Sequence, residues 1–156
     1  MDIQSYIELC KNKRIECIKK STKMEFLHSA IIFNHKNFNK IINYGENKQR
    51  LTYCHSSIHA EESSILKLKP LNNSRNRLKN IDILVLRVSK GGYSLGNSKP
   101  CLHCINTMNN LAKKKGYNVK DIYYSCSNNT IIKTTLTKLI NDPNIHISKF
   151  YRRHIG

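Results

Sequence analysis

The stretch that organises this chain is residues 81–88, which read IDILVLRV. Isoleucine, leucine or valine fills every position of it except Asp82 and Arg87. Because such a run has no continuous polar face, it is typical of a strand that is covered on both sides. The stretch therefore predicts a strand in the middle of a sheet.

Three longer segments around this strand have the period of amphipathic helices. Apolar residues at three- and four-residue spacing predict helices over residues 2–20 and 58–68. Pro100 suits the first turn of a third helix over residues 101–115, because a proline lacks only an amide that would have no partner there. Gly116 is a typical residue to end that helix.

Short runs rich in β-branched and aromatic residues predict the other strands. Each of two pairs of runs is separated by residues that favour turns, and each pair therefore predicts a β-hairpin. The first hairpin has strands at 27–33 and 38–44; the second has strands at 119–125 and 130–134, with Asn128 and Asn129 at the turn, and a short helix at 135–140 follows it. Helices that alternate with strands predict an α/β fold, a three-layer sandwich with a mixed sheet.

Length and composition predict a single soluble domain. The chain has 156 residues, and no segment approaches the roughly 20 apolar residues that a membrane-spanning helix needs. The first residues lack the basic and apolar regions of a signal peptide. We therefore expect one domain over residues 1–156 and a cytoplasmic location.

The charge of the chain is strongly positive. Lys and Arg number 27 against 10 Asp and Glu, a net charge of +17. Such a field favours anionic partners, including single-stranded nucleic acid, and basic clusters at Arg75, Arg77 and Lys79 and at 113–115 are candidates for phosphate contact. Lys, Asn and Ile are also the residues that AT-rich codons encode, and codon composition is an equally good explanation of the charge.

The six cysteines include one Cys-x-x-Cys pair, Cys101 and Cys104. Six cysteines are few for a disulfide scaffold of this length. In a reducing compartment, a Cys-x-x-Cys pair indicates metal binding or redox chemistry instead.

Two motifs at predicted helix starts carry the chemistry of the chain. The first places His59 two residues before Glu61, and the second is Cys101 and Cys104 directly after Pro100. Two thiolates and an imidazole are typical zinc ligands, and three protein ligands leave one position for water. The order H-x-E…P-C-x-x-C is the signature of the zinc-dependent nucleobase deaminases.

Two other interpretations of these residues stay open at this point. A structural zinc site would recruit a fourth ligand such as His103, Cys54 or His55. A thioredoxin-like redox pair would use Cys101 and Cys104 but would leave His59 and Glu61 without a role.

With these motifs, the chain resembles the zinc-dependent cytidine deaminase superfamily over roughly residues 25–140. The resemblance implies a five-stranded mixed sheet in a three-layer α/β/α sandwich. It also implies one Zn²⁺ per chain bound by His59, Cys101 and Cys104, and a catalytic Glu61 that transfers protons. In the family an asparagine after the second strand and a backbone amide next to the first ligand bind substrate; Asn47 and the amide of Ala60 occupy the matching places.

The resemblance leaves the substrate open between two branches of the family. A histidine as the first ligand is typical of the nucleotide and polynucleotide deaminases. The final hairpin and short helix at 130–140 are similar to those of the free-cytidine enzymes. We expect a hydrolase of nucleotide metabolism that deaminates a cytosine nucleoside or nucleotide and forms a homo-oligomer. The alternatives are a polynucleotide deaminase and a catalytically silent, zinc-stabilised nucleic-acid-binding protein.

Overall fold

The computed structural model describes residues 2–19, 27–48, 57–72, 77–148 and 152. In chain order its elements are α1 (Ile3–Lys19), β1 (Leu27–Asn34), β2 (Asn37–Glu46), α2 (Ala60–Leu66), β3 (Lys79–Val88), β4 (Leu95–Gly96), α3 (Leu102–Lys114), β5 (Tyr117–Ser125), β6 (Ile131–Thr135) and α4 (Leu136–Ile140). None of the described helices has the length and apolar character needed to cross a membrane.

The strand predicted at residues 81–88 is central, as expected. The sheet has the strand order β2-β1-β3-β5-β6, so β3 has a neighbour on either side. The pairs β1–β2, β1–β3 and β5–β6 are antiparallel, and β3–β5 is parallel. The sheet is therefore mixed, and β2, β3 and β5 all run in the same direction.

The predicted number of five strands is wrong, because the sheet has six. The additional strand β4 has two residues and pairs antiparallel with the end of β3, through Arg87–Gly96 and Val88–Leu95. A turn precedes it, in which the amide of Ser89 donates to the carbonyl of Ser94 at 2.8 Å. A strand of two residues has no detectable period, so the sequence pattern offers no way to find it.

Helices lie on both faces of the sheet because β3 is apolar on both. Ile81, Ile83 and Val85 belong to a buried cluster with residues of α2, α3 and α4. Leu84 and Leu86 alternate with them and belong to a second buried cluster with residues of α1. The dense apolar run thus serves two cores, one on each face.

Both predicted hairpins are confirmed, and the helix ends differ in detail from the predicted ones. Helix α2 is shorter than predicted because Ile58 forms an isolated antiparallel bridge with Lys48 instead of joining the helix. Pro100 lies outside the first turn of α3, because Cys101 is the N-cap residue. Gly116 follows α3 with φ +90°, and Asn129 turns the second hairpin with φ 61°, a conformation that asparagine tolerates.

Helix α2 lies directly on strand β2 at Gly45. A Cβ atom at this position would be 2.8 Å from the Cα of Ser64 and would also overlap the carbonyl oxygen of Ala60. Glycine is therefore required here for space and allows the start of α2 to contact the sheet backbone.

We expect Gly45→Ala to lower the free energy of unfolding by about 1–3 kcal/mol, because the added methyl group has to push α2 off the sheet. Chemical denaturation measures this change. Gly91→Ala is the matched control: its Cβ would lie 3.3 Å from the ring of Tyr93, an exposed side chain that can move aside. The control should change stability by less than about 0.5 kcal/mol, and an equal loss in both variants would contradict the close-approach argument.

Candidate metal centre

The two predicted motifs meet at one edge of the sheet. His59 follows β2 and is the N-cap of α2, and Cys101 follows β3 and is the N-cap of α3. Because β2 and β3 run in the same direction, the segments that leave them emerge at the same edge. Both N-cap residues have extended backbones, with φ −71°, ψ 158° at His59 and φ −80°, ψ 167° at Cys101.

The three predicted ligand atoms form a compact triangle. The Nδ1 atom of His59 is 3.2 Å from the sulfur of Cys104 and 3.5 Å from that of Cys101, and the two sulfurs are 3.6 Å apart. Tetrahedral zinc, with bonds of about 2.3 Å to sulfur and about 2.0–2.1 Å to nitrogen, requires ligand separations of about 3.5–3.8 Å. The triangle is therefore of the size that one metal ion needs, and His59, Cys101 and Cys104 could hold such an ion.

The protonation of the triangle favours metal binding. Hydrogen bonds from Cys104 and His59 lower the pKa of Cys101 to about 4 despite its burial. The hydrogen bond to Cys101 raises the pKa of His59, and sharing a proton with Cys101 raises that of Cys104. These shifts favour a thiolate at Cys101, and a metal would displace the remaining protons.

Glu61 places a carboxyl group beside these ligands. It is the second residue of α2, and only 4% of its surface is exposed. Its Oε2 atom has no hydrogen-bond partner among the described residues. Burial raises its pKa, and the nearby charge of His59 acts in the opposite direction. A buried carboxyl oxygen without a protein partner is suited to accept and release a proton of a bound molecule.

The next residue, Glu62, serves a different purpose. Its Oε2 atom lies 3.3 Å from the Nε2 atom of His103, which joins the first turn of α2 to that of α3. Neither residue belongs to a group that could hold a metal ion in the described part of the chain. His103 is thus engaged with a carboxylate and not with the triangle. Cys54 and His55, the other fourth ligands considered, lie outside the described residues, as does Arg75.

Asn47 lies on the segment next to His59. Its side-chain Oδ1 atom accepts a hydrogen bond from the backbone amide of His28 at 3.0 Å. Its backbone amide donates to the carbonyl of His28 at 3.2 Å. The neighbouring Lys48 pairs with Ile58, directly before His59. Ala60 is the first residue of α2, where helix amides have no partner within the helix. The role of Asn47 and of the Ala60 amide in binding substrate stays a prediction.

Two serines that the sequence analysis missed hold the loop that leads to Cys101. The hydroxyl of Ser98 donates to the carbonyl of Val85 and accepts from the amide of Ser125, each at 2.8 Å. The hydroxyl of Ser125 in turn donates to the carbonyl of Gly96 at 2.8 Å. Both serines are buried, and they tie this loop to β3 and β5. Ser98, a small polar residue two positions before Pro100, was the one hint in the sequence.

A comparison of the chain with known protein families found no match, and comparisons with curated proteins and with solved structures found none either. The case for a function therefore rests on the geometry and chemistry of the described residues.

We expect the purified protein to contain about one metal ion per chain, and Cys104→Ser to lose it, because the sulfur of Cys104 contacts both other ligand atoms. Elemental analysis measures the content, and thermal unfolding should show a lower midpoint for this variant. Cys126→Ser is the control: Cys126 is a free, half-buried cysteine outside the triangle. Full metal retention in both variants would rule out the site.

Proposed function

We propose that the chain is a zinc-dependent hydrolase that deaminates cytosine in a nucleoside or nucleotide. The observation that carries this proposal is Glu61, a buried carboxyl group with an unpartnered oxygen beside a His-Cys-Cys triangle. A purely structural metal site has no use for such a group. A site that moves protons during hydrolysis requires one.

The donor set supports zinc as the metal. Two sulfurs and one imidazole nitrogen form a combination that zinc prefers over magnesium or calcium, which select oxygen ligands. Three protein ligands are also the number typical of catalytic zinc, whereas structural zinc has four. When bound, zinc supplies a Lewis acid that makes water acidic enough to act as a nucleophile near neutral pH.

The proposed reaction requires two proton transfers, and we assign both to Glu61. Water contributes its oxygen to C4 of cytosine, and the bond from C4 to the amino nitrogen breaks. One proton of the water ends on N3 of the ring, and the other leaves with the amino group as ammonia. A carboxyl group whose pKa is raised by burial can hold each proton between the two transfers.

The proposed substrate contacts come from the resemblance to the cytidine deaminases. Asn47 is held beside the start of β1 by two hydrogen bonds to the backbone of His28, and its side-chain nitrogen, Nδ2, would be the atom that contacts a ligand. The amide at Ala60 is a donor for the carbonyl oxygen of the base. These contacts would orient cytosine with its C4 atom toward the metal and Glu61.

The last hairpin supports a small substrate. Strand β6 is antiparallel to β5 and leads directly into the short helix α4, as in the free-cytidine branch that the sequence resembles. Helices on both faces of the sheet support the three-layer sandwich of that family. In the free-nucleoside enzymes of this type, neighbouring chains border the site. We therefore also propose a homo-oligomer.

One observation favours a second candidate, deamination of a polynucleotide. The net charge of +17 favours binding of single-stranded nucleic acid. His59 as the first ligand agrees with this candidate.

We expect Glu61→Gln to keep the metal and the fold but to lower turnover by about 10²–10⁴-fold or more, because the amide can no longer accept a proton. Ammonia release and metal content are measured on the same samples. Glu62→Gln should lose much less activity, since its carboxylate contacts His103 and not the triangle. Near-normal turnover of Glu61→Gln would remove Glu61 from the mechanism.

We further expect ammonia release from at least one of cytidine, deoxycytidine and dCMP, with weak or no release from single-stranded DNA or RNA. The salt dependence of binding provides a control, because affinity for a polymer falls linearly with salt on logarithmic axes while that for a neutral nucleoside hardly changes. Efficient deamination of a polymer, with all three small substrates untouched, would select the second candidate.

A further inference from the structure

A cavity with both polar and apolar lining residues lies at the edge of the sheet opposite the metal centre. Its volume is about 490 Å³, and it is bordered by the turn between β1 and β2, the last turns of α3, the first half of β5, and α4. The residues that matter for its chemistry are His35, Lys36, Lys113, Lys120, Asp121 and Thr135. His59 and Cys101 follow the carboxyl ends of β2 and β3, whereas this cavity lies near the amino end of β5. It is therefore a site separate from the triangle.

The lining of the cavity carries excess positive charge. Lys36, Lys113 and Lys120 border it from three different elements. Asp121 is the one carboxylate in the lining, and its charge is already paired with Lys133 at 2.8 Å. Lysines that approach one concave space from several sides are suited to a ligand with several negative charges.

A buried carboxylate fixes the orientation of His35 at the cavity wall. Asp82 is completely buried, and its Oδ1 atom lies 2.8 Å from the Nδ1 atom of His35. The amides of Asp121 and Lys36 donate to Asp82 at 3.0 Å and 2.9 Å. The Nδ1 side of the imidazole faces Asp82, so the ring's other nitrogen, Nε2, is the one left for a ligand in the cavity.

The same interactions argue against a metal at this place. His35, Asp82 and Asp121 each offer a ligand atom within 4.8 Å of the others. Both oxygens of Asp82, however, already accept N–H bonds, and Asp121 pairs with Lys133. A cation would have to displace these donors and sit among lysines, whereas an anion would require no such rearrangement.

We propose that this cavity binds the phosphate groups of a small phosphorylated ligand. Its volume suits a nucleotide or a short inorganic polyphosphate, and a concave site favours a small molecule over an extended strand. Lysine side chains supply charge to the phosphate oxygens, and His35 adds a positioned nitrogen.

Calorimetric titration of the metal-loaded protein with inorganic triphosphate tests the proposal. We expect saturable binding that the double variant Lys113→Gln/Lys120→Gln weakens at least tenfold. The matched control is Lys114→Gln/Lys138→Gln, which removes the same charge from α3 and α4 at exposed positions outside the cavity lining. The control should stay within about twofold. Absence of saturable binding, or an equal loss in both double variants, would overturn the proposal.

Further titrations distinguish the possible sources of the phosphate groups. They also test whether the cavity binds independently of the metal centre. Binding of a nucleoside triphosphate that equals or exceeds that of triphosphate supports the proposal, and tighter binding shows that base or sugar is also recognised. Binding of single-stranded DNA that exceeds both and is weakened by the cavity variant would instead identify a nucleic-acid surface and overturn the small-ligand proposal. Triphosphate binding should be unchanged in Glu61→Gln; its loss there would place the phosphates at the metal centre.

Discussion

The contact between helix α2 and strand β2 is the constraint on which the candidate site depends. Gly45 has no side chain, so the backbone of β2 touches the first turns of α2 near Ala60 and Ser64. That contact sets the position of His59 and Glu61 relative to the sheet. The other half of the site is set independently, because β3 and the buried serines Ser98 and Ser125 position the loop before Cys101. The triangle of candidate ligand atoms, with sides of a few ångströms, forms where these two backbone arrangements meet.

Much of this arrangement could be predicted from sequence, because its parts are local. The apolar run at 81–88, the two hairpins and the helix after Pro100 each have their own period or turn residues. The candidate ligands His59, Cys101 and Cys104 were predictable from the H-x-E…P-C-x-x-C signature together with residue chemistry, and the structure brings them together. The features that were missed depend on pairing between two segments and not on a pattern within one of them. Strand β4 exists because it pairs with β3, and α2 is shortened because Ile58 pairs with Lys48.

Two buried carboxyl groups, those of Asp82 and Glu61, differ in how their oxygens are hydrogen-bonded. Asp82 interrupts the most apolar strand, yet its oxygens accept bonds from His35 and from two backbone amides, so its charge is fully compensated. Glu61 is buried almost as deeply, but its Oε2 atom has no partner among the described residues. A compensated carboxylate holds structure in place, and it does so here next to a basic cavity. A buried carboxyl oxygen without a partner costs free energy in the resting protein, and such groups are typical of sites where protons move.

The start of α3 is also held in place by residues that follow the ligands far along the chain. The amide of Leu102 donates to the carbonyl of His146 at 2.9 Å, and Lys99 pairs with Asp142 at 2.6 Å. The first turn that carries Cys101 and Cys104 is therefore completed by a segment about forty residues later. During synthesis, His59, Cys101 and Cys104 leave the ribosome before this segment does. The ligand triangle can therefore reach its final form only after residues 142–146 have been synthesised.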